Sequence, residues 1–278
     1  MIVIKDKKNL KIRIISFVCL FIVAILFLAP YFWMLSNSFK STKEILVDPN
    51  HLIPQKFTLS GYEKVLTDSP FFIWMRNSVF VTVIDTAVIL FTSSIIGFVL
   101  SKYKFKLNKF FFYVILATMM VPTTATMIPN FLLVSRIGLY DKIAALIIPT
   151  FMNAFGIFLC KQFIDDLPKE LFESAMLDDA SDFKIYYKIV LPSIKPALGS
   201  LTIFTFLAIW NDYLTPLIML NSSKNMTLPL ALSYFSSQHM SDLSATMAAA
   251  SLIMVPASVV FIVFQKQFIK GISMTGMK

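Results

Sequence analysis

Six long apolar segments constrain the fold of this 278-residue chain more than any other feature. An α-helix needs about 20 predominantly apolar residues to cross the hydrocarbon core of a bilayer. Strands of a membrane β-barrel would instead alternate in polarity over about ten residues. The sequence therefore predicts an all-α fold, a polytopic membrane helical bundle of six transmembrane helices. These lie at about residues 14–35, 77–101, 110–134, 143–160, 196–221 and 245–264.

The composition supports a membrane protein. Hydrophobic residues make up 57% of the chain and charged residues 15%, whereas soluble domains average roughly 45–50% and about 25%. A soluble core of this size would leave much of that apolar surface in water. Neither linkers nor low-complexity tracts interrupt the segments, so we expect a single transmembrane domain over residues 1–278.

The lysines and arginines predict the orientation. With the N-terminus in the cytosol, about two thirds of the 25 basic residues fall in cytosolic segments, as the positive-inside rule requires. Both termini are then cytosolic in a multi-pass protein of the cell (cytoplasmic or inner) membrane. The first apolar segment exceeds a usual signal-peptide core and lacks a small-residue cleavage site, so we expect it to remain as an anchor. The predicted cytosolic segments are 1–13, 102–109, 161–195 and 265–278.

No residue cluster predicts a metal site or an association with nucleic acid. The formal charge of +9 comes from lysines beside the apolar segments rather than from a nucleic-acid-binding surface. Cys19 and Cys160 lie within apolar segments and are expected to pack rather than to form a disulfide. His51 and His239 fall in predicted loops without metal-ligand spacing.

Enzyme motifs are also lacking in the sequence. The C-terminal "GISMTGMK" places Gly271 and Gly276 at P-loop spacing, but Lys278 stands one position late and no helix follows to receive a phosphate. Neither the zinc-protease H-E-x-x-H nor the G-x-S-x-G nucleophile motif occurs. We therefore expect no cofactor and no catalysis in this chain.

Residues 161–195, called the insert below, form a polar interruption between the fourth and fifth apolar segments. "DDLPKELFESAML" predicts a short helix with Asp166 near its N-cap and Pro168 in its first turn. Ser181 is expected to cap a second helix that ends near Pro192. Helices this short are marginal alone in water, so their apolar stripe needs the protein's own surface, lipid headgroups or another protein. Seven acidic residues against five lysines fit an anionic leaflet poorly and favour a protein partner.

The insert resembles the cytoplasmic EAA loop of ABC-importer permeases. Glu173, Ser174 and Ala175 stand at the E-A-A positions, and Asp179 occupies the usual glycine position, where Asp tolerates positive φ better than most residues. Further segments resemble the maltose/multiple-sugar branch of that family in the expected order: "MIPNFLLVSRIGLYDKIAALIIP", "IWNDYLTPLIML", "MTLPLALSYF" and "FQKQFIKGISMTGMK". The resemblance covers nearly the whole chain.

The resemblance implies a permease subunit that imports a sugar or oligosaccharide. Its implied partners are a homologous permease, two cytosolic ATP-binding subunits that hold ATP and magnesium, and an external solute-binding protein. The insert would act as a coupling helix pair seated on an ATPase subunit. The implied coupling residues are Glu173, Ser174, Ala175, Asp178, Asp179, Ile189, Leu191 and Pro192.

Two alternatives remain open at this point. The EAA loop is shared across importers, so the solute can instead be a non-sugar such as a phosphate ester or a polyamine. A self-contained secondary transporter is the second alternative. It would require an ion-relay set of carboxylates, and inverted repeats are common in that class; the sequence offers neither.

Polar residues in the fifth apolar segment are candidates for a solute pathway. On a continuous helix, Asn211 and Thr215 share a face at i, i+4, and Trp210 lies three positions from Tyr213. Amides, carboxylates and aromatic faces bind sugars, but the same polar groups also hold transmembrane helices together. Asp85 is assigned to packing or pairing. The candidate pathway residues are Trp210, Asn211, Asp212, Tyr213 and Thr215.

Overall fold

The computed structural model describes residues 7–238 and 242–275, and over these ranges the chain is helical without a β-strand. The all-α prediction is thus confirmed for the described chain. His239 lies outside the described residues, as do Gly276 and Lys278 of the P-loop-like tail.

Fifteen α-helices follow one another along the described chain, together with three short segments of other helical types. Ile148–Thr150 and Ser223–Asn225 form 3₁₀ turns, and Tyr186–Val190 forms a π-helical turn. The α-helices are α1 Lys7–Asn37, α2 Thr42–Val47, α3 Ser60–Thr67, α4 Phe71–Lys102, α5 Asn108–Thr118, α6 Thr123–Arg136, α7 Ala144–Ile147, α8 Ala154–Asp165, α9 Lys169–Leu177, α10 Asp182–Ile185, α11 Leu191–Ser193, α12 Lys195–Trp210, α13 Leu214–Met219, α14 Leu228–Gln238 and α15 Leu243–Thr275.

Three of the predicted spans are long, continuous helices. Residues Ile12–Asn37, Phe71–Lys102 and Leu243–Lys266 are each long and apolar enough to cross a bilayer. They correspond to the first, second and sixth predicted segments, with boundaries a few residues longer.

The other three segments are interrupted, so the continuous helices predicted over 110–134, 143–160 and 196–221 are wrong. α5 and α6 meet at 99°, and the α7 and α8 segments meet at 44°. The helix before Ile194 meets α12 at 74°, and α12 itself stops at Trp210. Proline explains two of the bends. Pro122 is the N-cap of α6 and Pro149 lies in the 3₁₀ turn; proline lacks a backbone N–H donor and disfavours helix at the preceding residue.

The chain divides into two compact units. The first comprises residues up to Ser69 together with Tyr234–Leu252, and the second comprises Pro70–Ser233 and the residues from Ile253 onward. Each unit is described by itself below.

The first unit is held by buried polar contacts. The Tyr62 hydroxyl lies 2.8 Å from Ser38 Oγ and 2.9 Å from Ser251 Oγ. Ser244 Oγ donates to the Lys40 carbonyl at 2.7 Å. Buried polar groups need such partners, so this part of the chain has a defined structure rather than a loose loop.

The second unit is built around close packing of α4, α8 and α12. A Cβ on Gly156 would lie 2.4 Å from Ser93 Oγ, and one on Gly97 would lie 2.9 Å from the Lys161 backbone nitrogen. Glycine at these positions therefore lets the helices approach closely, as small residues do in membrane bundles.

Asp141 joins the turn after α6 to the turn after α13 within the second unit. Its Oδ1 accepts hydrogen bonds of 2.9 Å from the backbone N–H groups of Asn221 and Ser222, and its Oδ2 accepts from Ser222 Oγ. Partial burial alone would raise the pKa of Asp141, but these hydrogen bonds together with that from Asn225 lower it to about 2.

This pKa shift predicts an acid-sensitive contact. Because the folded-state pKa of Asp141 lies below its unfolded value of about 3.9, its stabilisation is present above that value and is lost as the pH falls towards 2. We expect Asp141→Asn to lower the melting temperature at pH 7 and to lose less stability than the wild type between pH 4 and pH 2. Melting curves in detergent test this; equal melting temperatures at pH 7 would contradict it.

Candidate functional site

The first insert helix, α9, begins two residues later than the sequence predicts. Pro168 is its N-cap residue, with φ −56° and ψ 133°, and Glu170 lies in its first turn, where the helix dipole favours an acid. The prediction of Asp166 near the N-cap and Pro168 inside the helix is wrong. Asp166 instead ends α8, where its backbone N–H bonds to the Gln162 carbonyl.

The turn after α9 depends on Asp179. This residue adopts φ +50°, the left-handed conformation that glycine usually supplies at this position of the resembled motif. The Asp179 N–H bonds to the Met176 carbonyl, and the Ala180 N–H bonds to the Ala175 carbonyl at 3.0 Å. This double closure is the Schellman ending of a helix. Asp179 therefore adopts the same left-handed turn that glycine usually forms at this position of the resembled motif.

The second insert helix starts at Ser181, as predicted. The Ser181 side chain accepts from the Lys184 N–H at 3.3 Å, which makes it the N-cap of α10. Asp182 then contacts the end of α4 through hydrogen bonds from the Lys102 ammonium and the Tyr103 hydroxyl. These hydrogen bonds lower the pKa of Asp182, and the bond to Asp182 raises the pKa of Tyr103 to about 12. At neutral pH the contact joins an ionised carboxylate to two donors.

One side of the insert is buried in the second unit. Ala175 and Ile185 are 7% and 0% exposed, and the Tyr186 hydroxyl lies 2.7 Å from Ser94 Oγ of α4. Ile189 and Leu191 pack partly buried against the same cluster. The insert is thus fixed directly to the helices that lead into the membrane segments. The cluster comprises Phe98, Cys160, Phe163, Ile164, Ala175, Ile185, Tyr186, Val190, Ile194, Ala197 and Leu201.

The opposite side, which we call the insert face, is exposed and mixes large apolar groups with acids. Leu177 is 87% exposed, Phe183 75% and Tyr187 62%, and the last two rings stack at 6.4 Å. Exposed apolar groups rimmed by charge are typical of protein-binding surfaces. The insert face comprises Glu173, Ser174, Met176, Leu177, Asp178, Asp179, Phe183 and Tyr187.

The predicted coupling residues therefore separate into two groups. Glu173, Ser174, Asp178 and Asp179 lie on the insert face, and Pro192 is also exposed. Ala175, Ile189 and Leu191 instead contact the buried cluster. The first group is thus open to solvent on the surface of the insert, and the second packs inside the second unit.

A cavity of about 950 Å³ lies within the second unit. Threonine is the commonest residue of its wall, which also holds two carboxylates, Asp85 and Asp212. Asp85 is 1% exposed and accepts a hydrogen bond from the Thr150 hydroxyl. Asp212 Oδ1 accepts from the Thr215 N–H at 3.1 Å. The wall therefore offers hydrogen-bonding groups on several helices at once.

Two aromatic rings contribute to the same wall. Phe155 of α8 and Phe204 of α12 lie edge to face, with ring centroids 5.8 Å apart and an interplanar angle of 88°. Such rings offer apolar faces beside the hydroxyl and carboxylate groups. Ligand sites commonly combine a mostly apolar lining with a few polar groups.

The structure brings only some of the predicted pathway residues to the cavity. Asp212 and Thr215 line it. Trp210 is 1% exposed, donates from Nε1 to the Ile253 carbonyl at 3.1 Å and stacks on Phe206, so it packs inside the unit. Asn211 and Tyr213 are not among the residues that line the cavity.

The shared helix face proposed for Asn211 and Thr215 is absent because α12 ends at Trp210, before both residues, and Thr215 lies on the next helix, α13. The Asn211 amide turns back and donates to the Leu207 carbonyl at 2.8 Å. The Tyr213 hydroxyl accepts a long hydrogen bond of 3.5 Å from Ser233. A polar pair at i, i+4 predicts a common face only where the helix is unbroken. Here Asp212 Oδ1 instead accepts from the Thr215 N–H in the first turn of α13, whose N-cap residue is Tyr213.

Sequence reasoning missed several wall residues, including Asp85, which it assigned to packing or pairing. Thr123 and Thr124 follow Pro122, and Thr150 follows Pro149. Threonines placed directly after span-breaking prolines were a usable signal, since polar groups at a helix break line a cavity more readily than lipid.

Over the described ranges, no group of three or more His, Cys, Asp or Glu side chains is placed to hold a metal ion. Cys160 is buried and Cys19 is exposed, both as free thiols.

Comparison with known proteins places the chain among transport components. Residues 89–274 match the family model described as binding-protein-dependent transport system inner membrane component. The arabinooligosaccharides transport system permease protein AraQ of Bacillus subtilis is 33% identical, with 92% of each chain covered. A putative ABC transporter permease protein of Caldicellulosiruptor is 35% identical, covering 87% of this chain and 88% of that one.

A solved structure extends the similarity to the fold. It is the crystal structure of a bacterial ABC transporter involved in the import of the acidic polysaccharide alginate. The matched chain is 26% identical, with a TM-score of 0.80 and coverage of 95% of this chain and 98% of that one.

Proposed function

We propose that this chain, which belongs to the family of binding-protein-dependent transport system inner membrane components, imports a sugar or an oligosaccharide. As a member of that family it is a transport component and not an enzyme. It acts as one of two permease subunits of an ATP-driven importer. A homologous permease, two cytosolic ATP-binding subunits and an external solute-binding protein complete the assembly. ATP and magnesium are held by the ATP-binding subunits.

The chain crosses the membrane six times, with both termini in the cytosol. Three long apolar helices and three bent helix pairs support this count. The excess of lysine and arginine in the segments assigned to the cytosol supports the orientation. The insert then faces the cytosol, where the ATP-binding subunits are.

The exposed insert face is the main support for a role of this chain in coupling to the ATP-binding subunits. It presents Leu177, Phe183 and Tyr187 beside exposed acids, on helices too short to be stable alone. Its other side packs on α4, α8 and α12 through Ala175 and Ile185. An ATP-binding subunit that moves the insert face therefore moves these helices as a body, which is a rigid-body switching mechanism.

The cavity provides the path for the solute on this chain. Its hydroxyl, carboxylate and aromatic groups match the chemistry of a sugar, which presents many hydroxyl groups around an apolar ring face. Bent helices suit a cavity that opens alternately to each side of the membrane. We place Asp212 and Thr215, with Asp85, Thr150 and Thr227, in this pathway.

Purification of the tagged chain from its native host tests this function. We expect an ATP-hydrolysing subunit and a second permease to co-purify, and we expect the reconstituted complex to hydrolyse ATP faster when a sugar-loaded binding protein is added. A chain that purifies alone and transports solute without ATP would contradict the proposal and favour a secondary transporter.

A further inference from the structure

The cavity of the second unit is acidic. Asp85 on α4 and Asp212 after α12 both lie in its wall, and none of the described residues that line it is a lysine, an arginine or a histidine. Asp85 is 1% exposed, so water screens its charge little. Any solute in this space therefore lies near two carboxylates and has no opposing cation from this chain.

The wall also has hydrogen-bonding capacity that the described chain leaves unused. Thr227 is 5% exposed and lines the cavity, yet its Oγ1 has no hydrogen-bond partner among the described residues. Each carboxylate uses only Oδ1 there, towards Thr150 for Asp85 and towards Thr215 for Asp212. A buried hydroxyl without a partner is unfavourable, so Thr227 points to a ligand that supplies one.

The hydroxyl groups of a sugar match this demand. Each sugar hydroxyl donates one hydrogen bond to a carboxylate oxygen and accepts others from a threonine hydroxyl. Phe155 and Phe204 lie in the same wall and offer ring surface to the apolar face of a pyranose. None of these contacts requires the solute to carry a charge.

A carboxylate on the solute would be unfavourable at the same place. It would bring a third negative charge near Asp85 and Asp212, where like charges repel and no cation of this wall offsets them. A buried charge also needs a compensating partner, which this wall does not provide. The transporter of similar structure is, by contrast, involved in the import of alginate, an acidic polysaccharide.

We propose that this cavity selects an uncharged oligosaccharide and excludes oligosaccharides of uronic acids. The inference rests on the proposed function and names the substrate class of that pathway. Asp85 and Asp212 set the charge selectivity, and Thr227 contributes a hydrogen bond to the neutral solute.

Direct binding to the purified complex of both permeases and the ATPase tests the proposal. Omitting the solute-binding protein removes its own selectivity from the result. The probes are a panel of neutral trisaccharides of glucose, galactose, xylose and arabinose, and trisaccharides of glucuronic and galacturonic acid, titrated by calorimetry. We expect the tightest neutral probe to bind at least about tenfold more tightly than any uronate probe.

Two variants assign the effect to named residues. Thr227→Val keeps the side-chain shape and should weaken binding of the neutral probe by about fivefold, the usual worth of one hydrogen bond. Thr202→Val is the matched control, since Thr202 lies on α12 away from the cavity wall and bonds its own helix at the Leu198 carbonyl; it should change binding by less than about twofold. Asp212→Asn should tighten uronate binding by about fivefold or more.

The results separate this inference from the proposed function. A uronate probe that binds as tightly as the best neutral probe overturns the inference, as does a Thr227→Val complex with unchanged affinity. Failure of every neutral probe to bind also overturns it. The proposed function is judged independently, by whether an ATPase co-purifies and responds to the loaded binding protein.

Discussion

Replacing Leu177 by glutamate should abolish uptake and release the ATP-binding subunit from the permease. Leu177 is 87% exposed at the end of α9, beside Asp178 and Asp179. A further negative charge in the centre of a docked apolar contact costs about 2 kcal/mol or more, as at interface hot spots. That corresponds to more than about tenfold weaker association. The measurements are the ATPase retained on the tagged permease and the uptake of radiolabelled sugar.

Leu52→Glu is the matched control for this prediction. Leu52 is 58% exposed and lies in the connection between α2 and α3, far from the insert in sequence. Both substitutions place one glutamate on an exposed leucine, so neither should change the free energy of unfolding by more than about 0.5 kcal/mol. Loss of the ATPase from both variants, or from neither, would contradict a specific role for the insert face.

Replacing Ala175 by tryptophan should also abolish uptake, by a different route. Ala175 is 7% exposed and contacts the cluster around Ile185, Phe98 and Cys160. Packed interiors have no room for an added indole ring, so α9 must shift away from its support. Such overpacking costs about 1–3 kcal/mol, which a bundle of this size tolerates. We expect the complex to assemble while its ATPase no longer responds to the sugar-loaded binding protein.

Two further variants serve as controls for Ala175→Trp. Ala175→Ser adds one small atom and should keep most of the uptake. Ala117→Trp puts the same large ring on an exposed position of α5 and should leave uptake unchanged. If the Ala175→Trp complex retained full stimulation and uptake, the buried side of the insert would not transmit the movement.

Much of the fold followed from local sequence chemistry. The apolar segments gave the helical class, because length and continuous apolarity are properties of each segment alone. Ser181 at a helix start was predictable for the same reason, because an N-cap side chain bonds only to the first turn of the helix that follows it. Asp179 was predictable as a turn because aspartate is among the few residues that tolerate positive φ.

The cavity depended on features that local patterns do not contain. The helix ends at Trp210, six residues before the nearest following proline, Pro216, so the pairing of Asn211 with Thr215 failed. Asp85 joins Thr150 although 65 residues separate them. Thr227 reaches the wall from a third part of the chain. Only the packed arrangement of the helices brings such residues together.

Hydrogen–deuterium exchange on the assembled importer, compared with the same permeases after removal of the ATP-binding subunits, tests the docking claim most directly. We expect Lys169–Leu177 and the segment from Asp182 to Val190 to exchange more slowly in the assembled complex. We expect no such protection in α2 or α3. Equal exchange of the insert in both samples, or protection confined to other parts of the chain, would contradict it.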